Sequence, residues 1–172
     1  MITVYHGTDD KSAKKICNGI NVEAGSKGTD FGLGFYVTED YDSAVKWAYH
    51  KSYVRHGKPA VVVAYFDVET ASPLIEKFED DLRWGRFVIN NRNGMEYIKR
   101  VAFKDNNLDA RYPITYGRIA DLGVMDIAEQ LNASGEMLMS LDDILNLNYP
   151  MQYAFHKNDV TRFLVGLKYR YV

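Results

Sequence analysis

Ile2-Thr3-Val4-Tyr5 alternates branched and polar positions at period two, which predicts a strand ending at His6-Gly7. The period then lengthens. Asp9 or Asp10 can cap a short helix through Ile16, and Gly19 closes it. Residues 21 to 33 are polar and rich in glycine, a loop free to approach a ligand. Phe35-Tyr36-Val37-Thr38 predicts a brief strand. Asp40 caps a helix to about Tyr53, on which Ala44, Val45, Trp47 and Ala48 share an apolar side. Ala60 to Val68 is predicted as a buried strand.

The second half mixes weaker and stronger patterns. Leu74 to Val88 reads as helical, and Asn90-Asn91-Arg92-Asn93-Gly94 as a break. Asp105-Asn106-Asn107 and Pro113 mark another break before a strand at Ile114 to Ala120. Val124, Ile127, Ala128 and Leu131 fall at i, i+3, i+4 and i+7, an amphipathic helix. Ser140 caps a further helix, Leu141 to Leu147, with Asp142 and Asp143 near its positive end. Met151 to Phe155 predicts a strand, Asn158 one helical turn, and Leu164 to Tyr171 a last strand. No repeat or linker interrupts the pattern, so residues 1–172 read as one domain.

Composition narrows the chemistry. A chain of 172 residues buries roughly 70% of its unfolded surface. The net charge of -2 argues against a global field for nucleic acid or an acidic membrane. A local basic patch, or nucleic acid held in a cleft, stays compatible. Cys17 is the single cysteine, which rules out an internal disulfide and reads as a small buried hydrophobe. His6, His50, His56 and His156 form no His-x-x-x-His pair, so no metal site is expected. Val61 to Phe66 is strand length, far short of a bilayer span, and a cytoplasmic location is the expectation. The 13 tyrosines suit aromatic ligand surfaces, although most serve as core or amphipathic filler.

Two short matches lead nowhere. Asp30-Phe31-Gly32 is the kinase tripeptide without the other kinase motifs. Gly32-Leu33-Gly34 lacks the third glycine of the dinucleotide fingerprint and follows a loop. More informative is the pair Tyr5-His6-Gly7-Thr8 and Asp30-Phe31-Gly32-Leu33-Gly34-Phe35-Tyr36, followed by an aromatic helix. This arrangement resembles the diphtheria-toxin and poly(ADP-ribose) polymerase branch of ADP-ribosyltransferases. It is most similar to a bacterial family of compact, ADP-ribosyltransferase-like proteins known as a domain of unknown function. The resemblance runs the length of the chain. It implies an α+β fold of two packed, mostly antiparallel sheets flanked by helices, with an NAD cleft between them.

NAD carries a cationic nicotinamide and a pyrophosphate, and cleaving its glycosidic bond develops oxocarbenium character on the ribose. Catalysis then rests on positioning and electrostatics. The resemblance implies that His6 contacts the adenosine ribose and that Gly7 pairs with the nicotinamide amide. Glycine would leave that edge clear of a side chain. Tyr36 and Trp47 would sandwich the nicotinamide. Thr8, Phe31, Gly34 and Ser43 complete the implied NAD contacts. Arg118 and Arg111 are candidates for the pyrophosphate. NAD is thus the expected substrate, without a metal.

Gln152 stands where relatives carry the catalytic glutamate. Its amide keeps a hydrogen bond to the ribose but brings no charge and no base. Transfer of a single ADP-ribose to a macromolecular acceptor, protein or nucleic acid, remains consistent with glutamine there; chain elongation does not. The second carboxylate nominated is Asp121, in Gly117-Arg118-Ile119-Ala120-Asp121, with Asp30 after it. The implied function is a mono-ADP-ribosyltransferase, a bacterial effector or toxin with an antitoxin or immunity partner. The rivals are an NAD glycohydrolase and an NAD- or nucleotide-binding module without turnover. An RNA 2'-phosphotransferase would need arginines and a histidine that the chain does not place in that pattern.

Overall fold

The computed structural model describes residues 1–78, 82–98, 105–120 and 150–172. Asp121, the helix expected around Val124 to Leu131 and the one expected at Leu141 to Leu147 lie outside the described residues. Described strands are β1 (Ile2–Asp9), β2 (Phe35–Thr38), β3 (Pro59–Phe66), β4 (Ile75–Phe78), β5 (Ile114–Arg118), β6 (Met151–Phe155) and β7 (Leu164–Tyr171). Helices are α1 (Asp10–Asn18), α2 (Tyr41–Arg55), the short α3 (Val68–Ala71) and α4 (Leu82–Ile98).

The architecture is α+β, but the strands form one hydrogen-bonded sheet where two packed sheets were expected. The order is β4-β5-β6-β2-β1-β3-β7. Its pairs are antiparallel except β4 with β5. The sheet narrows at one place. The halves β7-β3-β1 and β2-β6-β5-β4 are long ladders, yet they join through the single pair Tyr5↔Thr38. Next to it the His6 Nδ1 lies 2.6 Å from the Tyr36 carbonyl oxygen, so a side chain takes the place of the next ladder bond.

Period-two alternation sorts the helices onto opposite faces. Ala60 and Val62 of β3 pack with Ala13 of α1, whereas Val61 packs with Ala44 and Ala48 of α2. Gly7 pairs with Val61 and so faces α2. A Cβ there would fall 1.9 Å from the Ala44 carbonyl oxygen. Glycine at 7 and alanine at 44 and 48 together let β1 and α2 approach backbone to backbone. The main core joins Val4, Phe66, Ile114, Tyr153 and Phe155 across both halves of the sheet. A second core gathers Phe31, Phe78, Trp84, Phe87 and Val88.

Two expectations need correction. Leu74 to Val88 is not one helix: a 3-10 turn at Ser72–Leu74 leads into β4, and α4 starts at Leu82. The polar stretch from Asn90 to Gly94 is no break but lies within α4. Asn90, Asn91 and Arg92 in it find partners that polarity alone does not reveal. Asn91 Nδ2 donates to the Phe87 carbonyl one turn back, and its Oδ1 accepts from the Asn107 amide at 2.8 Å. Tertiary bonding outweighs weak helix propensity here.

Candidate functional site

The cavity lies beside the Tyr5↔Thr38 junction, where β1 and β2 stop exchanging ladder bonds. It measures about 730 Å³, within the range of roughly 300–1,000 Å³ usual for small-molecule sites. His6, Gly7, Thr8, Gly34, Tyr36, Trp47 and Gln152, all nominated from the sequence, line it. Phe31 and Ser43 do not. Phe31 is fully buried and stacks against Phe78 and Phe87, a core position. The Ser43 amide donates to the Asp40 carboxylate at 2.6 Å, so Ser43 belongs to the N-terminal cap of α2.

His6 stacks on Phe35, with ring centroids 4.5 Å apart. A carbonyl can only accept, so Nδ1 carries the proton given to Tyr36 and Nε2 keeps its lone pair. Burial pushes the imidazole pKa down to about 4, and the nearby Lys51 and Arg55 charges push the same way. His6 is therefore a neutral hydrogen-bond acceptor at physiological pH.

The Tyr36 ring lines the cavity, but its hydroxyl is used within the loop 29–32. It donates to the Gly32 carbonyl at 2.6 Å and accepts from the Phe31 amide at 3.0 Å, with Thr29 Oγ1 at 2.9 Å. Burial and the Asp30 charge raise its pKa. The ring is thus a wall and an anchor for the glycine-rich loop, and the phenol stays protonated. Gly34 faces the other side: a Cβ there would lie 3.0 Å from the His156 ring. Gly7 likewise owes its identity to α2 rather than to a ligand. Beyond Tyr5, however, its strand has no ladder partner on the β2 side among the described residues.

Trp47 is 46% exposed, open enough for a flat ligand to lie on it. One and two turns further along α2, at the i+4 and i+8 positions, stand Lys51 and Arg55. The Lys51 ammonium sits 5.7 Å from the Trp47 ring centre. Burial and the neighbouring Arg55 charge lower the Lys51 pKa. Arg55 donates to Asp9 at 3.1 Å and to Ser12 Oγ at 2.8 Å. With Lys15 and Arg92, these give the cavity wall four cationic side chains, of which Arg55 is paired with Asp9 and Arg92 with Asp30. None of the four is among the residues that the motifs single out. The spacing of Trp47, Lys51 and Arg55 on one helical face was the readable signal. Arg111 instead pairs with Asp109 at the surface, and Arg118 does not line the cavity.

Asp30 closes the site from below. It is bound by Arg92, by the Ala120 amide and by the side-chain amide of Gln152. The cavity thus offers aromatic surfaces, neutral acceptors at His6 and Gln152, and a cationic rim. Among the described residues no His, Cys, Asp and Glu side chains cluster as a metal would require. No described helix is long and apolar enough to cross a membrane. No curated protein and no solved structure matches the chain. A family model described as protein of unknown function, DUF3990, matches residues 2–165, almost the whole length, and the chain belongs to that family.

Proposed function

We propose that the protein is a mono-ADP-ribosyltransferase that uses NAD as donor and releases nicotinamide. One observation carries the reading: motif residues far apart in sequence, His6, Gly7, Tyr36, Trp47 and Gln152, line a single cavity. The cationic side chains of that cavity suit a pyrophosphate, and Trp47 suits a flat ring. In this reading the open edge of β1 at Gly7 takes the carboxamide, and His6 Nε2 accepts from a ribose hydroxyl. Trp47 and the Tyr36 ring flank the nicotinamide. Lys51 and Arg55 balance the phosphates, and Gln152 accepts from the hydroxyl next to the scissile bond. Transition-state charge is met by placement rather than by a catalytic base. A macromolecular acceptor, and a role as an effector or toxin with an immunity partner, follow from the resemblance and are part of the proposal.

The test is transfer of label from adenylate-labelled NAD in a lysate divided into protease- and nuclease-treated halves. Wild type should label a macromolecule, while Tyr36→Ala and Gln152→Ala should not. The treatment that erases the label then names the acceptor class. Free ADP-ribose without macromolecular label would replace the transferase by a glycohydrolase. Bound but intact NAD would leave a binding module.

A further inference from the structure

The polar floor of the cavity converges on Asp30, whose side chain is only 9% exposed. Its Oδ1 accepts from Arg92 Nε at 2.8 Å and from Arg92 Nη2, which also reaches the Ala120 carbonyl oxygen at 2.7 Å. Its Oδ2 accepts at 2.8 Å from the Ala120 amide and at 2.8 Å from Gln152 Nε2. The amide of Gln152 can face a carboxylate in one sense only, because reversal would set two acceptors against each other. Its carbonyl Oε1 is therefore turned away from Asp30. Among the described residues that oxygen meets no protein donor, and it is not among the buried polar atoms left unpaired. Gln152 lines the cavity, so Oε1 is accessible to a ligand hydroxyl.

Resting on the ADP-ribosyl reading of this cavity, we infer that Asp30 is the positioning residue for Gln152, locking its amide so that Oε1 is a fixed acceptor for a ribose hydroxyl. Glutamine at 152 is then no relic of a lost glutamate. With Asp30 behind it, a glutamate would bring a second carboxylate to a hydrogen-bond distance, and one proton would have to be shared between them. The carboxylate has moved one residue back from the ligand, and the amide hands its fixed orientation forward.

The decisive set is Gln152→Glu, Asp30→Asn and the double variant, each compared with wild type. Gln152→Glu should lower kcat for nicotinamide release about 10- to 100-fold, although it supplies the charge that relatives use. Its melting temperature should fall further below wild type as pH rises from about 5 to 8, because the raised folded pKa of the new carboxyl favours the protonated form. Asp30→Asn should lower kcat by a similar factor with KM for NAD changed less than about threefold. It should also shift the Gln152 side-chain amide resonances and speed their exchange with water in the unliganded protein. The double variant should regain about tenfold over Gln152→Glu, short of wild type because the Ala120 amide loses its acceptor.

Equal or higher activity in Gln152→Glu would overturn the proposal, as would unchanged amide resonances in Asp30→Asn. If Asp30→Asn does not fold, the melting of Gln152→Glu decides: a deficit independent of pH refutes the pairing, and one that grows with pH supports it. If wild type leaves NAD intact, the ADP-ribosyl reading fails on its own. The amide resonances then still show whether Asp30 holds Gln152.

Discussion

His6 and His156 are kept neutral by their surroundings, and that has a measurable cost in acid. His156 is buried, donates from Nδ1 to the Leu33 carbonyl at 2.7 Å and accepts from Thr115 at Nε2. Burial lowers its pKa to about 4, as it does for His6. Both values lie below the unfolded value of 6.5, so the folded chain binds fewer protons than the unfolded one. Their contribution to stability is complete above about pH 6.5 and is lost as pH falls toward 4. The urea midpoint should be flat above about pH 7 and then decline, each histidine adding up to about 1.4 kcal/mol per pH unit. His156→Gln should make the decline shallower, and an unchanged slope would mean that His156 is not held neutral. At this scale the sequence was informative about residue type and poor about direction. His6, Tyr36 and Gln152 were findable from motif and strand pattern. Nothing in their neighbours said that the Tyr36 hydroxyl turns into its own loop or that Gln152 rests on Asp30, which is 122 residues away.

Elements whose stability is local were legible, and those held from outside were not. The strands β1, β2, β6 and β7 carry period-two or apolar runs, and α1 and α2 carry Asp caps whose bonds the structure shows at Asp9 and Asp40. The α4 helix has no such signature. Its helical state across residues 90 to 92 depends on Asn91 gripping Asn107, and on Arg92 reaching Asp30. Asn91 and Asn107 are almost fully buried. Asn91→Ala should therefore strand the Asn107 amide and cost about 1–3 kcal/mol. Urea denaturation measures this; a loss within about 0.5 kcal/mol, as at an exposed site, would show that α4 stands by its own propensity. Because Arg92 follows directly in the helix, the same variant should also loosen the contact that fixes Asp30.

For the molecule as a whole, the site exists because one sheet is nearly two. β1 and β2 meet at a single pair, and the space beside that junction is walled by α1, α2 and the loop between Asn21 and Asp30. A net charge of -2 conceals the cationic wall, since Lys15, Lys51, Arg55 and Arg92 come together only in the fold. Composition could exclude a strong global field but could not locate a local one. We propose that this wall and its aromatic surfaces receive NAD and that its nicotinamide bond is broken there. The most direct measurement is chromatography of NAD and free nicotinamide after incubation of the purified protein with NAD and a lysate fraction. Wild type should release nicotinamide in step with lost NAD, and Tyr36→Ala none above background. NAD left intact by wild type across all lysate fractions would contradict the proposal.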